Sequence, residues 1–81
     1  MIRIISTDPS ITRKVSRTES DTAVTDTFVR TDFLADEETD ITAMNAEGSE
    51  YLKYPAGSMV YCVESKKKYI LKADCTEYTE V

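Results

Sequence analysis

The strongest constraint on this chain is local and lies in its last third. Tyr54-Pro55-Ala56-Gly57-Ser58 leads into two strand-like runs, residues 59–64 and 68–73, around a polar centre at 65–67. A third run, 77–81, follows a break at Asp74-Cys75. Short alternating runs separated by turn residues are the pattern of a three-stranded antiparallel meander. With a loop at 65–67, Glu64 faces Lys68, Val63 faces Tyr69, Cys62 faces Ile70 and Tyr61 faces Leu71. That register gathers Met59, Tyr61, Val63, Tyr69, Leu71 and Ala73 on one apolar face, which is then the face expected to be buried. Cys75 occupies a turn position that usually takes Gly, because such turns often need positive φ.

Upstream the pattern weakens. Residues 2–5 and 11–15 read as short strands around an Asp8-Pro9-Ser10 turn. Residues 16–27 are rich in Ser, Thr and Asp, whose side chains bond to their own backbone, and this predicts a loop or an extended arm. One helical turn capped by Asp32 is expected at 32–38, and a hairpin at 41–53 with its turn at Glu47-Gly48-Ser49. The expected fold is mainly β. A small antiparallel sheet carries the C-terminal meander, residues 54–81, and a loop-rich or extended N-terminal half, residues 1–53, within one domain.

At 81 residues the chain is near the lower limit for a single self-sufficient core. Only 41% of it is hydrophobic, and many of those residues stand singly among Thr, Ser and Asp. Either part of the chain is therefore expected to stay unfolded, or burial is completed by self-association or by docking on a larger partner. A formal charge of −5 disfavours nucleic acid and anionic membranes as partners. Lys66-Lys67-Lys68 is too short for a nucleic-acid patch and reads as a solubilised hairpin tip. The apolar start, residues 1–5, ends at Ser6-Thr7-Asp8-Pro9 before a secretory h-region could develop, and synthesis in the cytosol is expected.

The residue inventory argues against catalysis. The chain has no His, so no Ser-His or Cys-His dyad can be assembled. Its two Gly residues cannot build a glycine-rich phosphate loop. Cys62 and Cys75 fall about 16 Å apart in the expected register, at about 3.3 Å per residue, too far for a disulfide. Two thiols without a histidine make no zinc site. Asp36, Glu38, Asp40 and Glu47 imitate the spacing of a calcium loop, but Ile41 stands where that loop needs Gly. A solvated acidic loop is the better reading. No enzyme activity, metal or cofactor is expected.

What remains is binding or assembly. All five tyrosines lie in the last third. Tyrosine is favoured at interfaces because a rigid apolar ring carries one polar tip, and Tyr61, Tyr69 and Tyr78 are the candidate interface residues. The run from Tyr54 to Glu64, Tyr69-Ile70-Leu71, and Glu77-Tyr78-Thr79-Glu80-Val81 resemble small virion proteins of tailed bacteriophages, of the head-fibre and head-decoration type. Ile2-Arg3-Ile4-Ile5-Ser6-Thr7-Asp8-Pro9-Ser10 and Phe33-Leu34-Ala35-Asp36 are similar to that group as well. Two departures are Cys75 in place of the turn Gly and Tyr78 where a Trp is usual. The resemblance implies a non-enzymatic structural protein, located in the virion after synthesis in the host cytoplasm. It would decorate or cap the head, neck or tail as a homo-oligomer docked on other virion proteins. The competing class is a small acidic phage-encoded module that binds and modulates one host protein, through a single exposed apolar patch on a stable monomer.

Overall fold

The computed structural model describes all residues, Met1–Val81, as one five-stranded sheet crossed on one face by a short helix and a 3₁₀ turn. The elements in chain order are β1 (Ile2–Glu19), β2 (Thr22–Ala35), α1 (Glu38–Met44), the 3₁₀ turn (Glu50–Lys53), β3 (Met59–Cys62), β4 (Lys67–Leu71) and β5 (Tyr78–Glu80). Strand order follows chain order, and every pairing is antiparallel except β2 with β3. The fold is mainly β, as expected. Its sheet is mixed, because the chain between β2 and β3 crosses over through α1 and returns parallel.

The N-terminal half is more regular than its composition predicts. β1 runs straight through Asp8-Pro9-Ser10, where a turn was expected. The Asp8 carboxylate accepts hydrogen bonds from the Ser10 backbone N–H (3.1 Å) and hydroxyl (2.6 Å), so the polar cluster shapes a bulge instead. Pro9 is tolerated there because β1 is an edge strand. Beyond the bulge, pairing is unbroken from Thr12↔Val29 to Glu19↔Thr22. The turn uses Ser20 and Asp21, both at positive φ (48° and 65°), the backbone that lets a two-residue loop match the strands' twist. Residues 16–27 thus form the outer part of a two-stranded arm, and the molecule is 42 Å along its longest axis.

The expected helical turn at 32–38 is corrected. Asp32 lies within β2, and α1 begins at Glu38. There the Asp40 carboxylate accepts the Glu37 N–H at 3.1 Å, satisfying a donor the helix start leaves free. Ile41 and Met44, three apart and therefore on one helix face, are both buried against the sheet. The expected hairpin at 41–53 is thus helix and 3₁₀ turn. Its Gly48 (φ 79°) serves the chain reversal between them.

The C-terminal meander is present, but its register differs by three. Met59 faces Ile70, Val60 faces Tyr69 and Tyr61 faces Lys68, leaving residues 63–66 as the loop with Lys66 at φ 59°. An odd slip inverts every side chain of one strand relative to its partner. Val60 and Cys62 therefore point into the core, where Met59, Tyr61 and Val63 were expected. The cause is β2: Phe33 pairs with Val60 and Ala35 with Cys62, and both pairs share the buried face. Val63 and Glu64 donate their N–H groups to the carbonyls of Ala35 and Asp36, which prolongs β3 along β2 and shifts the loop.

The core contains Phe33, Ala35, Ile41 and Met44 from the first half with Val60, Cys62, Leu71 and Tyr78 from the second. Residues 1–53 and 54–81 thus share one sheet and one core. Both cysteines are free, Cys62 buried and Cys75 half-buried. Cys75 takes φ 58°, the conformation its glycine-like turn position predicts. β5 is only three residues long, and Asn45, just past the end of α1, holds it. The Asn45 side-chain carbonyl accepts the Tyr78 N–H (2.6 Å), and its amide donates to the Tyr78 carbonyl (3.1 Å). That edge of the sheet is closed by a side chain imitating a strand. The β1 edge has no such cover.

Candidate interaction surface

α1 and the 3₁₀ turn cover one face of the sheet. Because successive side chains of a strand alternate, burial of Phe33, Ala35, Val60, Cys62 and Leu71 dictates what lies opposite. Leu34, Met59, Tyr61 and Ile70 stand on the other face, which no helix crosses; Tyr61 is 37% exposed and the other three are half-buried. Ile5, displaced at a bulge in β1, borders the same face and is 58% exposed. Ile5, Met59 and Tyr61 line a shallow depression of about 240 Å³, with Asp32 and Lys68 at its polar rim. Val63 beyond the end of β3 and Val81, whose N–H donates to the Lys68 carbonyl, are exposed as well.

The three candidate tyrosines take different positions. Tyr61 lies on the open face, 37% exposed, and lines the depression. Tyr69 turns to the covered side, where its hydroxyl donates to the Glu38 carboxylate at 2.9 and 3.1 Å. Tyr78 is a core residue, only 2% exposed, with its hydroxyl donating to the Tyr51 carbonyl at 2.7 Å. Burial pushes the Tyr78 hydroxyl far above the usual tyrosine range, and burial followed by the Glu38 carboxylate raises Tyr69. An interface on these residues narrows to Tyr61. The reading of the sequence missed Leu34, Met59 and Ile70 beside it. Only the pairing of β3 with β2 reveals them, since that pairing decides which alternate residues turn outward.

A second apolar surface lies on the covered side. Between the 3₁₀ turn and the start of β1 runs a groove of about 390 Å³. Ile2, Ile4, Phe33, Tyr51 and Tyr54 line it. The ring of Phe33 meets those of Tyr51 and Tyr54 edge-on, with centroids 5.4 and 5.1 Å apart, so the groove floor is a rigid aromatic cluster. Farther along, Phe28 packs edge-on against Tyr54 and Arg13 donates to the carbonyls of Leu52 and Tyr54, which ties the base of the arm to the body.

Three of the four acidic residues with calcium-like spacing, all but Glu47, have a partner of their own. Asp36 binds Arg3 at 2.8 Å, Glu38 binds Tyr69, and Asp40 binds the Met1 ammonium at 2.8 Å. Hydrogen bonding to that ammonium, then to the Glu37 N–H, holds the Asp40 carboxyl below the usual range. These carboxylates serve the fold, as cap and as ties between β1, α1 and β4.

Fold and surface together define a small mixed-sheet module with one open apolar face and one unpaired long edge strand. Comparison with protein-family models, with curated proteins and with solved structures gives no match. The resemblance to phage virion proteins rests on turn and strand chemistry alone.

Proposed function

We propose that the chain is a non-enzymatic assembly protein that docks through the open face of its sheet. The observation that carries this reading is that face, where exposed Tyr61 stands beside half-buried Leu34, Met59 and Ile70 on the same strands whose other face forms the core. An aromatic ring centred among aliphatic side chains, with charged residues at the margin, is the composition of a protein interface. The most specific form of the proposal is a virion subunit of a tailed phage, decorating or capping the particle, which the resemblance suggests. The alternative, a module that binds one host protein, requires one apolar patch. Two separate apolar surfaces, the open face and the groove beside β1, favour a subunit with several contacts.

The test is quantitative mass spectrometry of purified particles of the encoding phage, for the wild type and for Tyr61→Asp. Stoichiometric presence of the wild type, with loss of the folded Tyr61→Asp protein from particles, is the expected result. Absence of the wild-type chain from particles, with abundance in infected cells, would transfer the reading to the host-binding module.

A further inference from the structure

The two ends of the sheet are treated differently. Asn45 occupies the backbone groups of β5, whereas β1 exposes a long edge flanked by apolar side chains on both faces. Ile2 and Ile4 lie on the groove side and Ile5 on the open side, with Ile4 and Ile5 each 58% exposed. An edge that is unpaired and apolar on both faces is a template for strand addition.

Backbone alternation identifies which groups are free. Asp36 donates its N–H to the Met1 carbonyl, so Met1 and Arg3 turn their backbone groups toward β2, and Ile2 and Ile4 turn theirs outward. The Val63 N–H to Ala35 carbonyl bond turns Ala35, Phe33 and Thr31 toward β3, hence Asp32 and Arg30 toward β1. Their partners Ser6 and Asp8 therefore face β2, and Thr7 faces outward. The outward set in this segment is Ile2, Ile4 and Thr7.

We propose that β1 pairs antiparallel with β1 of a second copy of this chain, Ile4 opposite Thr7, making one continuous ten-stranded sheet about a two-fold axis. In this register the free N–H and C=O of Ile4 meet those of Thr7 of the second copy, twice by symmetry. It also sets Arg3 opposite Asp8, twice. Arg3 (beside Leu34) and Asp8 (beside Arg30) lie on the same face of the sheet, so opposite charges meet across the new pair. Registers that place Ile2 opposite Ile4 set Arg3 against Arg3. The pairing is self-limiting. Pro9 has no N–H, residues 9–11 bulge, and in this register β1 of the second copy, which starts at Ile2, is paired no farther than Pro9, so the arm stays outside the paired segment. A closed dimer results, not a fibre.

This inference deepens the assembly reading and rests on it only in assuming that the chain self-associates. It uses the edge of the sheet, and the docking proposal uses the face. The experiment is sedimentation equilibrium of the isolated protein over the micromolar range, for the wild type, Arg3→Asp, Asp8→Arg and the double charge swap. Within its own chain the Arg3 guanidinium pairs only with the half-exposed Asp36 carboxylate, so replacing it removes one surface tie and leaves the fold standing. The wild type is expected to be a reversible dimer. Each single variant should dissociate about tenfold more readily, and the double swap should restore the dimer. Hydrogen exchange supplies a readout independent of folding: the amides of Ile4 and Thr7 should gain protection with concentration, while those of Arg3 and Asp8 do not change. A wild-type monomer throughout, a dimer indifferent to both charges, or a double swap that folds but stays monomeric would each overturn the proposal. A self-pairing dimer whose Tyr61→Asp variant still enters particles would leave the edge intact and sink the docking face instead.

Discussion

Replacing Asn45 by Ala tests how a three-residue edge strand is held. Asn45 supplies two hydrogen bonds to Tyr78, accepting its N–H at 2.6 Å and donating to its carbonyl at 3.1 Å, both in a partly buried setting. A hydrogen bond contributes about 1 kcal/mol net, so the pair is worth about 2 kcal/mol. A protein of this size has about 5–15 kcal/mol in all, and a loss of about 2 is a large share. At about 4–8 °C per kcal/mol for a domain of this length, the melting midpoint should fall by about 8–16 °C. Thermal unfolding followed by circular dichroism reads the shift directly. Thr42→Ala on the exposed face of α1 is the control and should change stability by no more than about 0.5 kcal/mol. Hydrogen exchange should show Tyr78 losing protection before the rest of the sheet. If Asn45→Ala melts within about 2 °C of the wild type, water replaces both bonds without loss and β5 is held by packing alone.

Phe33→Ala, at 1% exposure and in edge contact with two tyrosines, should cost about 3–5 kcal/mol and leave the chain largely unfolded by circular dichroism at ambient temperature. Lys66→Gly at the meander tip, where φ is 59°, should raise the urea midpoint, with a gain of about 0.5–1 kcal/mol, and a lowered midpoint would show that the positive φ carries no strain. Stability should fall in alkali. Tyr54, Tyr69 and Tyr78 have raised values in the folded state, chiefly through burial, whereas unfolded tyrosines ionise near pH ~10. Their contribution is therefore complete below about pH 10 and is lost as pH rises from there through the folded values, so tyrosinate absorbance from these rings should appear together with loss of the β signal. In acid the sign reverses. Asp8, Asp40 and Asp74 are held low by hydrogen bonds from Ser10, the Met1 ammonium and Thr76 respectively. Their contribution is present above the usual carboxylate range, about pH 4, and is lost as pH falls through the folded values, which urea titrations at stepped pH would detect.

The residues show where reading a sequence succeeds and where it stops. Turn and strand chemistry at 54–81 predicted the meander, and Cys75 in a slot that usually takes Gly left open a different turn type or some strain; the φ of 58° there is the strained outcome. The Ser/Thr/Asp content of residues 16–27 predicted an arm or a loop, but not that Ser20 and Asp21 would close it as a tight hairpin. α1 escaped because seven residues with two buried side chains carry too little periodicity to stand out. Of the candidate tyrosines, Tyr61 stands on the open face while Tyr78 is in the core. Tyr78 alternates with the polar Glu77 and Thr79, whereas Tyr61 stands in the apolar run Val60-Tyr61-Cys62, where alternation alone does not say which side turns inward.

The sequence alone determined the β content, the acidic charge, the absence of histidine and the turn at Asp74-Cys75. Each of these is a property of composition or of adjacent dihedral angles. Only the tertiary structure decided which face of β3 is buried. The meander hairpin closes in either of two registers, and only the parallel pairing of Phe33 with Val60 and Ala35 with Cys62 selects between them. That contact joins residues far apart in the chain, and through it Met59 and Tyr61 became surface while Val60 and Cys62 became core. The open face was therefore invisible to local pattern, because which side of an alternating strand meets water depends on what packs against the other.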